Sequence, residues 1–300
     1  MRFKGWKTRI GIISLVLVTV LAIVVISNGG RSNKTTSIQP DWDPPKVQLQ
    51  SDNFTQQPTF TVTPSPSKSP TPIPSPTKSP TPKAQKKIAK TTQTIFKTTA
   101  AFSKYRPKYE LAWVNPSNYG ERFATDINGF PLQNQPIIVL HETAGSASSA
   151  VNTFQVDHAD DENQQRSYHA LIKLNGTVVY LVPPDKRAYG AGNSIFNGPN
   201  GEETVRTNAI LPPSVNNFAY HVSLETPPEG INSDPEHIGY TQSQYYSLAW
   251  LVAQSQVPDN RITTHRAVDR SGQRIDPRSF DFNQFLNLLH SFRKLTVIRA

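Results

Sequence analysis

Hydrophobic positions along the chain fall into two regimes separated by a long stretch with neither. The first is an unbroken apolar run at residues 10–26, IGIISLVLVTVLAIVVI, preceded by Arg2, Lys4, Lys7 and Arg9. Its length lies at the short end of the roughly 17–25 residues that span a bilayer as a helix. The basic residues ahead of it put the N-terminus in the cytoplasm and the rest of the chain outside the cytoplasmic membrane. A basic tail (1–9) and a transmembrane signal-anchor (10–27) are therefore expected. The rival is a cleaved signal peptide ending near Ser27, which would leave the protein secreted. The run is longer than most signal-peptide cores and lacks an A-x-A cleavage pattern, which favours the anchor.

From residue 28 to about 103 no periodicity survives. SPSKSPTPIP (65–74) is nearly repeated in SPTKSPTPKA (75–84), and the surrounding tract is rich in Pro, Ser, Thr and Lys. Such a composition buries too little apolar surface to fold, and its prolines favour an extended spacer of about 3.1 Å per residue. A disordered tether is expected, whose lysines suit an anionic wall polymer or membrane surface.

The second regime begins near residue 104 and gives one folded domain, 104–300. Residues 137–141, IIVLH, predict a short strand buried on both faces. A helix follows from Ser146 to about residue 156. YHALIKL and TVVYLV flank Asn175-Gly176, a strong hairpin signal. AYHVSLE (219–225) predicts another strand. Helical spacing at Tyr245, Leu248, Leu251 and Val252, behind Thr241 as a cap, predicts a helix to about residue 257. Phe282, Phe285, Leu289 and Phe292 predict a last helix. Strands and helices interleave, so the fold class is α/β, a mixed central sheet flanked by helices.

Charge changes the picture in one respect. The chain carries a net +9, but residues 1–100 hold 14 Lys/Arg against 3 Asp/Glu, and residues 101–300 hold 17 against 19. The folded part offers no basic excess, so a nucleic-acid partner is not expected. There is no cysteine. A metal site would need histidine and carboxylate.

Polar residues at element ends are the candidates for chemistry. His141 and Glu225 each close a strand, and His265, Arg274 and Asp276 share the segment THRAVDRSGQRIDP. Two histidines and a carboxylate suit a catalytic zinc ion (Zn2+) with an open fourth position. Their spacing alone leaves the alternative of polar residues satisfied in loops.

Five stretches in order, IIVLHETAG, RSYHALIKLNGTVVYLVP, DKRAYGAGNS, NNFAYHVSLET and THRAVDRSGQRIDPRSFDF, resemble the type-2 N-acetylmuramoyl-L-alanine amidase family, whose fold is shared with peptidoglycan recognition proteins. The resemblance implies that His141, His265 and Asp276 hold zinc and that Glu225 is the general base. It also implies that Arg274 and Tyr168 stabilise the oxyanion. The reaction implied is hydrolysis of the amide between N-acetylmuramic acid and L-alanine, with peptidoglycan or muropeptides as substrate. Three positions depart from the family pattern: Gly190, where histidine is frequent; Glu142, where histidine or asparagine is common; and Arg278, where glycine is usual. They put substrate preference in doubt more than catalysis.

Two other functions use the same residues. A recognition module would bind muropeptide without cutting it, and a zinc peptidase would shorten stem peptides. The remaining histidines have ordinary expectations: packing or hydrogen bonding for His169 and His221, a solvated loop for His158, and surface positions for His237 and His290. Tyr245, Tyr246 and Trp250 are expected in or beside the core. The long segment 193–217 is expected to form a wall of the substrate groove. Oligomeric state is left open.

Overall fold

A computed structural model describes residues 92–299. The apolar run 10–26 and the proline-rich repeats lie outside the described residues; among those described, no helix is long and apolar enough to cross a membrane.

The β-branched run at 137–141 forms strand β4 (Ile137–Glu142), buried along its whole length. It lies beside β10 (Ala219–Leu224), also buried throughout, and β11 (Ile262–Thr264), both parallel to it. On the other side of β10 run β5 (Ala170–Ile172), β6 (Val178–Tyr180) and β2 (Tyr109–Leu111). Among the described residues the sheet has the order β11-β4-β10-β5-β6-β2. β5 and β6 are the expected antiparallel hairpin, and the other pairs are parallel. The architecture is thus the expected α/β one with a mixed central sheet.

Alternation along a strand assigns side chains to the two faces. Ile138, Leu140, Ala170, Ile172, Val222 and Leu224 pack against α3 (Gln242–Ala253) and α5 (Phe282–Phe292). Thr241 caps α3 in a reciprocal capping box with Gln244. Helix α3 is wedged between sheet and α5, so Tyr245, Leu248, Trp250 and Leu251 are all buried although they point in different directions. Each such large apolar side chain contributes about 1.5–3 kcal/mol when fully buried. The opposite face receives Ile137, Val139 and Ala219, covered by Phe196, Val205 and Val215 of segment 193–217. Further along, Leu171 and Val179 pack against α2 (Ala147–Gln155) through Ala147 and Phe154. This second face is the one that carries His141.

The ordered chain reaches further back than the expected boundary at 104. Residues 92–103, read from sequence as linker, hold β1 (Thr92–Thr98) and most of α1 (Ala100–Lys104). β1 pairs antiparallel with β12 (Arg293–Arg299), a strand that helical periodicity at 282–292 gave no reason to expect. Phe102 stacks on Trp250 at 5.7 Å between ring centroids and meets Phe292 edge-on. Arg293 lies 3.9 Å from the Phe96 ring centroid and donates to Asp259 at 2.7 Å. These contacts hold both ends of the domain to the α3–α5 layer.

The hairpin turn gives a direct stability test. Gly176 has φ +82°, and a Cβ there would stand 2.8 Å from the Ser243 carbonyl oxygen and 3.0 Å from Ser247 Oγ. Left-handed strain and the collision with α3 add in Gly176→Ala. We expect a loss of about 2–4 kcal/mol in urea unfolding; a loss below the left-handed cost alone would mean that α3 yields to the new methyl group.

Candidate active site

Parallel pairing brings the first two candidate ligands together. Thr264 of β11 is in register with Leu140 of β4, so the next residues, His265 and His141, are neighbours across the sheet. Their rings lie 4.6 Å apart between centroids. Thr264 caps α4 (His265–Val268) by accepting from the Ala267 amide, which fixes the turn on which His265 sits. Asp276 arrives through a loop folded on the Asp269 carboxylate, which accepts from the backbone N–H groups of Ser271, Gln273 and Arg274. The Arg266 amide then donates to the Asp276 carbonyl at 2.9 Å.

His265 Nδ1 is 3.0 Å from Asp276 Oδ1, and His141 Nδ1 is 3.4 Å from Asp276 Oδ2. One donor atom from each of the three residues lies within 4.8 Å of the others. His141 Nδ1 is fully buried, yet its approach to Asp276 does not satisfy hydrogen-bond geometry and it has no other partner. A buried nitrogen left this way is costly unless another group takes its lone pair. Burial, with the His265 charge, pushes the His141 pKa down to about 4, so the ring is neutral at physiological pH. Burial disfavours the charge on Asp276, but contacts with His141 and His265 outweigh it and hold the carboxyl well below its usual range. A buried neutral imidazole at His141, a second histidine nitrogen at His265 and an ionised carboxylate make a donor set that zinc takes. The residues fit the ion.

Tyr168 and Arg274 lie near this cluster, and Glu225 lies on the same sheet face. Tyr168 lies with its ring 4.7 Å from that of His141, and burial, then the Asp276 charge, raises its phenol pKa well above the usual value. Arg274 is exposed on the Asp269 loop, and its charge opposes protonation of His141. Glu225 follows β10 on the same face as His141, since Ser223 pairs with His141 and Glu225 is two residues on. Its Oε1 accepts from the Ala147 amide at 2.8 Å and its Oε2 from the Leu174 amide at 2.9 Å. Neither oxygen is hydrogen-bonded to His141, His265 or Asp276. The carboxylate is thus held rigidly, at the first turn of α2, where the helix dipole favours negative charge.

The departures from the family pattern and two of the other histidines also find partners. Glu142 is buried and accepts from Arg278 Nε at 2.5 Å and from the Arg278 backbone amide at 3.1 Å. It also accepts from Tyr240 Oη at 2.7 Å and meets His237 Nε2 at 3.1 Å. Two of the three departures are therefore partners. The His237 imidazole is covered, contrary to the surface position expected, because it lies against this pair. His158 is half-buried on Asn118 at 3.0 Å rather than solvated. Segment 193–217 buttresses the Asp269 loop: the Ile195 amide donates to Val268, and the Arg270 amide to Asn193. The third departure, Gly190, lies against the ring of His221.

Comparison with known proteins adds the family. Similar solved structures include a selenomethionine derivative of AmpD (22% identity, 61% of this chain and 94% of that one, TM-score 0.42). The solution structure of Citrobacter freundii AmpD is also similar (23%, 61% and 90%, TM-score 0.37). A third is the E. coli N-acetylmuramyl-L-alanine amidase AmiD in complex with the substrate anhydro-N-acetylmuramic acid-L-Ala-D-γ-Glu-L-Lys (19%, 55% and 65%, TM-score 0.38). No curated protein matches the chain. Residues 133–279 match the family model described as N-acetylmuramoyl-L-alanine amidase, a span that contains His141, Glu225, His265 and Asp276. Over those residues the chain belongs to the type-2 N-acetylmuramoyl-L-alanine amidase family.

Proposed function

We propose that this chain is a zinc-dependent peptidoglycan amidase that hydrolyses the bond between the lactyl group of N-acetylmuramic acid and L-alanine. The observation that carries the reading is the convergence of His141 Nδ1, His265 and Asp276, with His141 Nδ1 buried and unpartnered, inside a domain of this family. His141, His265 and Asp276 would hold the zinc ion. When bound, zinc supplies polarisation of the scissile carbonyl and a lowered pKa for water.

The protein's own groups divide the rest of the work. Glu225, held by two backbone amides, keeps a free lone pair on each oxygen; it takes the proton of the attacking water and returns it to the leaving amine. Tyr168 keeps its proton and can donate a hydrogen bond to the developing oxyanion. Arg274 contributes positive charge there and stays protonated, so it is not a proton shuttle. Residues 10–27 would anchor the protein in the cytoplasmic membrane, and the proline-rich tether would carry the domain on its outer side, where the wall lies.

The test is product analysis with the full chain and isolated sacculi. Stem peptides beginning at L-alanine and a free lactyl group on muramic acid are the expected products, lost with a chelator and recovered with zinc. Shortened stems still attached to muramic acid would instead make the protein a peptidase. Retention of muropeptide without any cleavage would make it a recognition module.

A further inference from the structure

His221 has no part in the chemistry above, yet it touches the first ligand. It lies on β10 two residues before Ser223, the register partner of His141, so its side chain emerges on the His141 face. Its Nδ1 stands 2.9 Å from His141 Nε2, and both rings are fully buried. The space for this ring is provided by Gly190. A Cβ at that position would lie 2.5 Å from Cγ and Nδ1 of His221 and 3.0 Å from its Cδ2. No side chain fits at 190 while His221 stands where it does. The departure at Gly190 and the histidine at 221 are two halves of one arrangement.

The arrangement is anchored from behind. The His221 backbone amide donates to His169 Nδ1 at 2.9 Å, and His169 Nε2 meets the Lys186 carbonyl at 3.1 Å. His169 accepts at Nδ1, so its proton is on Nε2, directed to Lys186. Its ring stacks on that of His221 with 12° between planes. The His221 backbone and ring face are held from behind, while its Nε2 is buried with no hydrogen-bond partner.

A neutral imidazole carries one proton, and the hydrogen bond made by one nitrogen decides whether the other has a lone pair. His141 Nε2 and His221 Nδ1 share one hydrogen. With the proton on His141 Nε2, His221 Nδ1 accepts, and His141 Nδ1 turns a lone pair toward Asp276 and His265. With the proton on His221 Nδ1, His141 carries its own on Nδ1, and that nitrogen is closed to a metal. We propose that His221, seated in the space left by Gly190, is a positioning residue that holds His141 in the Nε2-protonated tautomer, leaving Nδ1 free as the metal ligand. The inference rests on the zinc reading given above.

Two readouts on the full chain separate the two. The first is zinc affinity, measured by competition with a chromophoric chelator. His221→Phe keeps a ring but removes the acceptor, and should weaken binding about 10–100-fold, the effect of losing a ligand's outer hydrogen bond. His221→Asn can present its Oδ1 in place of Nδ1 and should recover most of that loss, which a packing role would not. Gly190→Ala, which displaces the ring, should behave like His221→Phe. Unchanged affinity in His221→Phe, or equal losses in the Phe and Asn variants, overturns the proposal. The second readout is the 15N imidazole shift of His141 in the metal-free protein, expected to report protonated Nε2 in the wild type and a shift toward protonated Nδ1 in His221→Phe. A wild type that takes no zinc sinks the metal reading alone, and the tautomer still decides this one: protonated Nδ1 in the wild type overturns it.

Discussion

Glu225→Gln is expected to slow amide hydrolysis by about 10²–10⁴-fold, the usual contribution of a general base, while zinc binding stays intact. Glutamine has the same shape but cannot take the proton of water. The exchange is not structurally silent, because both Glu225 oxygens accept backbone amides, from Ala147 and Leu174. The side-chain NH2 of glutamine would face one of those N–H groups, leaving a donor unpaired at a cost of about 1–3 kcal/mol. A domain with the usual 5–15 kcal/mol of stability remains folded under that loss. Rate, zinc stoichiometry and urea midpoint measured together separate the two roles. A rate within tenfold of wild type, with a lowered midpoint, would reduce Glu225 to an anchor for the first turn of α2 and remove it from the chemistry.

Arg278→Met is expected to destabilise the fold by about 3–5 kcal/mol, because it takes the guanidinium from the buried Glu142 carboxylate and leaves Oε1 without its donor. The Arg278 guanidinium also donates to the carbonyl oxygens of Gly230, Asn232 and Asp234 at 2.6, 3.1 and 2.7 Å. One side chain thereby fastens the 230–237 loop to the end of β4. Glu142 is next to His141 and Arg278 is two residues beyond Asp276, so the pair also couples the two segments that present these candidate ligands. A double-mutant cycle with Glu142→Gln in urea isolates the pairwise term. The double variant should be more stable than the sum of the single losses implies, since it buries no lone charge. Additive losses would mean that Arg278 acts through the loop carbonyls and not through Glu142.

How far these residues could be read in advance depends on what connects them. The strand at 137–141, the hairpin at Asn175-Gly176 and the capped helix after Thr241 follow from local rules, and each forms at nearly the expected place. β1 and β12 follow from no local rule: TQTIFKT and RKLTVIR lie at opposite ends of the domain and are strands because they pair with each other. TQTIFKT falls within the expected linker, where its polar composition and proline-rich neighbours argue for disorder until a partner strand is supplied.

The candidate site divides the same way. His141 and Glu225 were visible as polar residues closing strands, and His265 and Asp276 as members of one ordered motif; parallel pairing then brings His141 and His265 together. The three departures from the family pattern were visible too, but only as isolated oddities. Their meaning lies in tertiary contacts. Glu142 and Arg278 are 136 residues apart and become an ion pair only when the Asp276 loop folds back on β4. Gly190 and His221 become a matched pair only when β10 brings an imidazole to within 2.5 Å of where a Cβ would stand. By itself, then, the sequence determined the central strands, the hairpin and the capped helices, which face of each is apolar, and which side chains have zinc chemistry available to them. The tertiary structure alone decided which charges are paired, which nitrogen of His141 is left without a partner, and which residues stand behind the candidate ligands. Periodicity and capping act over a few residues, whereas burial and hydrogen-bond partnership belong to the packed whole.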